Sequence, residues 1–226
     1  MIYTEGDFCM CGRFLLDTEI REIIMTYKIQ RNKNTQYKSG EIFPSTSAPI
    51  IFDDGERTIA PAKWGFPYGF KKGMVINARS ETIMQRPMFK NSLFTARCVI
   101  PANLYYEWKD GGGKRKIKHG IGLQDRDLIS LGGIYKVSLD EDGLMEQMTF
   151  VIITTEADTA IRDIHNRMPL IIEDRDLEPW LDRGANIKHI ENILKPRMDY
   201  NFSIRRYEDT PPGGSGDGGH QQLSMF

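Results

Sequence analysis

Cysteine is scarce in this chain: three of 226 residues, Cys9, Cys11 and Cys98. Three thiols cannot build a disulfide framework, and they fall one short of a four-thiolate zinc site. Neither a metal nor an organic cofactor is expected, and a reducing cytoplasm is the matching compartment. Long apolar runs are missing too; no stretch approaches the roughly 18 residues that a membrane-crossing helix needs. The start, Met1-Ile-Tyr-Thr-Glu-Gly-Asp7, has no basic segment followed by an apolar one, so a signal peptide is not expected. Nor is there an excess of one charge. Thirty Lys and Arg face 31 Asp and Glu, for a formal net charge of −1. Taken as a total, that argues against tight, salt-driven binding of nucleic acid. What remains is an ordinary globular composition, 40% hydrophobic and 27% charged. The length suits one domain that buries roughly 70% of its unfolded surface.

The charge is segregated rather than absent. Lys109-Asp-Gly-Gly-Gly-Lys-Arg-Lys-Ile-Lys-His119 carries five basic residues and one acid, whereas Glu173-Asp-Arg-Asp-Leu-Glu-Pro-Trp-Leu-Asp182 carries five acids and one base. Either run alone reads as a solvated surface; together they allow a basic face and an acidic back. Asp17 is placed to cap a helix with Ile20, Ile23, Ile24 and Tyr27 on one face. Ala157, Ala160, Ile161 and Ile164 predict a second helix ending near His165. Ile187, Ile190 and Leu194 predict a third, stopped by Pro196. Between them lie strand-like runs at 97–100, 104–108, 128–131, 149–154 and 202–204, with a Gly111-Gly-Gly113 turn. Helices sit apart from strands rather than alternating with them, which predicts an α+β fold. After Tyr207 the composition changes to a Gly- and Pro-rich stretch that reads as a flexible linker over 208–221.

Five short islands mix reactive polar groups with residues that fix backbones: Met10-Cys-Gly-Arg-Phe14, Lys63-Trp-Gly-Phe66, Asn77-Ala-Arg-Ser-Glu-Thr82, Arg97-Cys-Val-Ile-Pro-Ala-Asn-Leu-Tyr-Tyr-Glu-Trp108 and His165-Asn-Arg-Met-Pro169. Each alone is a weak signal. In this order and spacing they resemble the SRAP (SOS response-associated peptidase) family, over Met10 to about Tyr207. The resemblance implies a single compact domain over 10–207 with a strand-rich, barrel-like sheet core flanked by short helices. It also implies that the partner is single-stranded DNA carrying abasic sites, to which the protein crosslinks.

The chemistry is intelligible from residue types. A ring-opened abasic sugar presents an aldehyde. An α-amine condenses with it to a Schiff base, and a thiol two carbons away then closes a five-membered thiazolidine. Only an N-terminal cysteine offers both groups at that spacing, and their reference pKa values, about 7.7–8.0 and about 8.5, leave both partly nucleophilic near neutral pH. The resemblance makes Cys11 the crosslinking residue, Glu107 a proton shuttle, His165 the group that protonates the sugar oxygen, and Asn77 the residue that orients the reacting groups by hydrogen bonding. It places Arg13, Arg79 and Arg167 on the DNA backbone, with Trp64 and Trp108 as candidate stacking or wedging rings, although core packing is equally open to both tryptophans. Pro44 and Met168 are carried over more loosely as DNA-facing. Cys98, inside an apolar run, reads as structural.

Two features depart from the family pattern. Members begin Met-Cys-Gly-Arg-Phe, whereas here residues 1–9 precede Met10. Either translation starts at Met10, with ordinary methionine removal, or the chain cleaves itself before Cys11. A second divergence is Ile42-Phe-Pro-Ser-Thr46, where Ala-Pro-Thr is usual. At the other end, Gln222-Leu-Ser-Met-Phe226 resembles a bacterial sliding-clamp-binding pentapeptide. There Gln222 would fill a polar notch while Leu223, Met225 and Phe226 act as apolar anchors. The linker before it would span roughly 18 Å. The expected protein is a monomer that captures abasic sites, possesses no membrane segment and reaches replicating DNA through a clamp. The alternatives are a thiol peptidase acting before Cys11 and a non-covalent single-strand binding module.

Overall fold

In the computed structural model, residues 11–68, 73–113, 115–139 and 144–207 are described. The chain begins with β1 (Phe14–Leu16), α1 (Ile20–Thr26), β2 (Arg31–Asn32), β3 (Gly40–Ile42), β4 (Ser47–Asp53) and β5 (Arg57–Trp64). A short hairpin, β6 (Phe66–Pro67) and β7 (Met74–Val75), leads to β8 (Asn77–Arg79) and α2 (Pro87–Thr95). Then follow β9 (Arg97–Ala102), β10 (Leu104–Asp110), β11 (Lys116–Leu123), β12 (Ile129–Leu139) and β13 (Glu146–Glu156). The described part closes with β14 (Arg167–Pro169), α3 (Asp174–Leu181), α4 (Ile187–Ile193) and β15 (Phe202–Arg206).

The α+β expectation holds, and the core is a closed five-stranded barrel. Neighbours run β13-β12-β9-β4-β5, and β5 pairs back to β13. Four of these contacts are antiparallel; the closing one is parallel, with Lys63 opposite Thr149 and Trp64 opposite Phe150. β9 is buried at every position, since the barrel interior takes one face while α2 and α3 cover the other. Gly133 lets β12 approach so closely that a Cβ there would lie 2.5 Å from Ile100 Cδ1 and 2.8 Å from the Val151 carbonyl. A second sheet, β15-β11-β10-β1-β3, lies alongside. Phe14 and Leu16 of β1 are fully buried, and the Phe14 ring meets Trp64 at 5.3 Å. This contact ties the second sheet to the barrel. It also brings the segment that opens at Cys11 over the barrel's rim.

Helical details differ from the sequence reading. The α1 cap position is Glu19, with no side-chain cap bond. Asp17 is engaged elsewhere: its N–H donates to Asn103 Oδ1 at 2.6 Å and its carboxylate accepts from Ser39. The segment 157–165 forms consecutive turns rather than an α-helix. Asp158 starts it by accepting from Ala160 N–H at 2.8 Å, and it stops as soon as His165 N–H reaches the Ile161 carbonyl. The third predicted helix is α4, capped by Asn186 accepting from Lys188 N–H at 2.9 Å. The acidic run is the helix α3, and Asp176, Trp180 and Leu181 turn inward from it. Among the described residues no helix is long and apolar enough to cross a membrane.

Candidate functional site

Glu107 is the electrostatic oddity of the fold. It sits in β10, follows the buried Tyr105 on the same inward face, and is only 1% exposed. Burial raises its pKa from 4.5 to about 8, against the lowering effect of hydrogen bonds from the Cys11 and Trp108 N–H groups. Cys11 is equally buried, three residues before the start of β1, and its backbone nitrogen donates to Glu107 Oε1 at 2.7 Å. Asn77 opens β8, which hangs in parallel on β13 with Asn77 opposite Ile152. From there its Nδ2 donates to the Cys11 carbonyl at 3.4 Å. Cys11, Asn77 and Glu107 therefore meet, although 66 and 96 residues of sequence separate the partners. Tyr105, missed from the sequence, belongs with them. Burial holds its hydroxyl proton well above the usual tyrosine range, and nearby charge on Cys11 and Glu107 adds to this. The signal was the alternation of β10, which sends Tyr105 and Glu107 to one face.

A second group gathers at the end of β13. Arg79 and Pro169 both stand opposite Thr154, from β8 on one side and β14 on the other. Arg79 is exposed. His165 is half-buried, and its Nδ1 lies 3.1 Å from the Arg167 nitrogen and 3.3 Å from the Arg167 carbonyl oxygen, accepting from the first in the Nε2–H tautomer and donating to the second in the Nδ1–H tautomer. Burial lowers its pKa, favouring the neutral form. Arg167 forks onto Glu81 at 2.8 and 2.9 Å and donates to the Thr154 carbonyl at 2.8 Å. Burial would raise the Glu81 pKa, but the Arg167 hydrogen bonds hold it below the ordinary value. A phosphate at Arg167 would have to replace that carboxylate.

A third group flanks Cys11. The Arg13 guanidinium lies 4.6 Å from the Phe43 ring centre and 5.1 Å from that of Trp108, with Glu41 at 3.5 Å. Pro44 follows Phe43 in a turn that ends at Ser45, whose φ is 71°. Arg13, Trp108 and Phe43 thus form a partly exposed cation–aromatic edge next to Cys11.

Two expected DNA contacts are core residues instead. Trp64 is fully buried, stacks on Phe150 at 6.0 Å and donates Nε1–H to the Ile76 carbonyl at 2.9 Å. Its ring has no face to offer a base, because the barrel closes at this position. Met168 is 1% exposed, and its sulfur accepts from Asp158 N–H at 3.4 Å. Cys98 is buried in β9, which pushes its thiol pKa up and keeps it inert. Gln222, Leu223, Met225 and Phe226 lie outside the described residues, as do Met10 and everything before it.

Known proteins resemble this chain over most of its length. The family model described as SOS response associated peptidase (SRAP) matches residues 10–209. The chain belongs to the SRAP family. It is similar to the Bacillus subtilis (strain 168) protein named abasic site processing protein YoqW, at 33% identity, over 83% of this chain and 87% of that one. It also matches abasic site processing protein HMCES of Gallus gallus at 30% identity, over 74% of this chain and 63% of the relative. Among solved structures, a protein from Bacteroides thetaiotaomicron aligns with a TM-score of 0.77 and 24% identity. That alignment covers 88% of this chain and 93% of that one, so the two chains share a fold.

Proposed function

We propose that this SRAP protein captures abasic sites in single-stranded DNA through a thiazolidine formed by Cys11 once the preceding residues are gone. The single observation that carries the reading is the 2.7 Å contact between the Cys11 nitrogen and Glu107. That nitrogen becomes the α-amine when Cys11 comes first. An ammonium there would share its proton with the buried carboxylate, and the pair would titrate together. The amine then attacks the sugar aldehyde, and the carbinolamine loses its hydroxyl as water with a proton returned by Glu107. The Cys11 sulfur adds to the same carbon and gives up its proton, closing the ring. One aldehyde, one amine and one thiol yield one thiazolidine and one water, with no redox step. Asn77 holds the Cys11 carbonyl during these steps. In its Nε2–H tautomer, with Nδ1 accepting from Arg167 N–H, His165 presents a proton for the opened sugar's oxygen, while Arg13, Arg79 and Arg167 meet phosphates.

The test is a denaturing gel of protein beginning at Cys11 with a single-stranded oligonucleotide containing one abasic site. A band that survives denaturation, and is lost in Cys11→Ser, supports the reading. An equally strong band from Cys11→Ser overturns it.

The same contact favours a second activity, cleavage of the bond before Cys11. The nitrogen beside Glu107 is the leaving nitrogen of that peptide. Attack of the Cys11 sulfur on the preceding carbonyl would break the C–N bond, Glu107 would protonate the amine, and water would hydrolyse the thioester. Incubating the full chain and following intact mass tests this: loss of residues 1–10 should occur, and should stop in Cys11→Ala. We further infer that the terminal Gln222, Leu223, Met225 and Phe226 dock on a bacterial sliding clamp and that the chain acts as a monomer on DNA.

A further inference from the structure

Lys116 and Lys118, from the basic run 109–119, have no part in the chemistry above, yet they lie on one face of the second sheet. In the second sheet, cross-strand partners share a face. Trp108 stands opposite Lys118, and the Tyr207 N–H bonds the Lys118 carbonyl, so these three form one row across β10, β11 and the end of β15. The next row is Tyr106, Gly120 and Arg205. This is the face turned away from Glu107. Lys118 Nζ lies 3.8 Å from the Tyr106 ring centre and 5.4 Å from that of Tyr207. Tyr106 and Tyr207 meet edge-on at 5.6 Å. Gly120 makes this possible: a Cβ there would sit 2.9 Å from the Tyr207 ring. The tyrosine ring therefore lies directly over the Gly120 backbone.

The charge on this face is complementary to a phosphate chain. Arg13, Lys116, Lys118 and Arg205 face Glu41 and Asp110. Glu41 pairs with both Arg13 and Lys118, and Asp110 pairs with Lys116 at 3.5 Å. The row Trp108–Lys118–Tyr207 places aromatic, cation and aromatic over two strand spacings, roughly 10 Å. Stacked bases with a phosphate between them fit such an alternation. The row starts at Trp108, whose ring already carries Arg13 beside the Cys11 segment.

We propose that the outer face of the sheet β15-β11-β10-β1-β3 is a track for undamaged single-stranded DNA flanking the lesion, running from Arg13 and Trp108 across Lys118 to Tyr207 and Arg205. The proposal rests on the abasic-capture reading and extends it beyond the reacting nucleotide.

The test measures non-covalent binding of protein beginning at Cys11 to undamaged oligonucleotides of about 3 and about 15 nucleotides, across a salt series. The variants are Lys118→Met with Arg205→Ser, and Arg205→Glu alone, which touches only an exposed position. Loss of two phosphate contacts should weaken the long oligonucleotide about tenfold at low salt and shallow its log–log salt slope by roughly 1.4, leaving the short one within about twofold. Arg205→Glu should weaken the long one in the same direction. A control that removes two exposed cations elsewhere, Lys90→Ser with Lys188→Ser, should leave both unchanged. Equal weakening of long and short, no weakening of the long, or an equal effect of the control overturns the proposal. Covalent capture of a short abasic oligonucleotide is run on the same proteins. If the parent chain forms no adduct, the capture reading fails, whatever the binding series shows; if adducts form in all variants while the length effect is missing, only the track fails.

Discussion

Glu107 is protonated where most glutamates are charged, and this has a measurable consequence for stability. Its folded pKa is raised from 4.5 to about 8 by burial. The folded state therefore binds more protons than the unfolded one between those values, and the contribution of this group to stability falls as pH rises through that window. In Glu107→Gln the amide still accepts from Cys11 N–H but does not titrate. Chemical denaturation at pH 5 and pH 8.5 should show the wild type losing more stability than the variant, by on the order of a few kcal/mol. Identical pH slopes would mean that Glu107 ionises as in water. The same variant should form adduct at least tenfold more slowly, as expected when a general acid–base group is removed.

Much of this site was legible from the sequence because its chemistry is concentrated in short islands: Cys11, Asn77 and Glu107 each sit in one, and the fold brings them into contact. Trp64 and Met168 were not legible. A tryptophan in a short apolar segment looks the same whether its ring lines a groove or closes a barrel, and only the pairing of Trp64 with Phe150 decides.

At the scale of elements, Arg97 holds the helices to the barrel. It is buried in β9, and its guanidinium donates to the Trp180 carbonyl at 2.6 Å, to the Leu93 carbonyl at 2.7 Å and to that of Asp182. These are carbonyls at the C-terminal ends of α2 and α3, where partial negative charge gathers. Arg97→Met should cost about 2–4 kcal/mol, measured by urea denaturation, because several buried carbonyls lose their donor together. Gly133→Ala should cost about 1–3 kcal/mol, since the backbone Val151 carbonyl cannot step aside for a Cβ. The strands between residues 40 and 79 escaped the sequence reading because β3, β6, β7 and β8 are only two or three residues long, while β4 and β5 carry Pro49 and Pro61 inside their runs. The helix α2 escaped it for want of a polar cap, its only start signal being Pro87 at the first turn. The turns at 157–165 show the converse: apolar spacing was helical, but Asp158 capped a segment too short to propagate.

Across the whole molecule, a net charge of −1 conceals a division of labour. Acids collect on α3, against β9 of the barrel, while the second sheet carries Arg13, Lys118 and Arg205 on the side of Trp108 and the Cys11 segment. A weak hold on DNA would suit the covalent capture proposed above. Delivery by the tail belongs to this scale: deleting residues 222–226 should abolish sliding-clamp binding in a pull-down with purified clamp while leaving adduct yield on abasic DNA unchanged. Retained clamp binding would remove the tail from the account. Barrel closure was the least legible feature of all, since it depends on a parallel pairing between Trp64 and Phe150 that no local pattern encodes.

The central claim is that Cys11 must be the first residue for its nitrogen and sulfur to act on one carbon. Intact-mass measurement of the denatured adduct decides it, with two proteins compared, one beginning at Cys11 and one retaining residues 1–10 through a block to their removal. The account predicts a species at the mass of protein plus abasic oligonucleotide minus one water for the first protein, and none for the second. The same adduct at comparable yield with residues 1–10 still attached would contradict it.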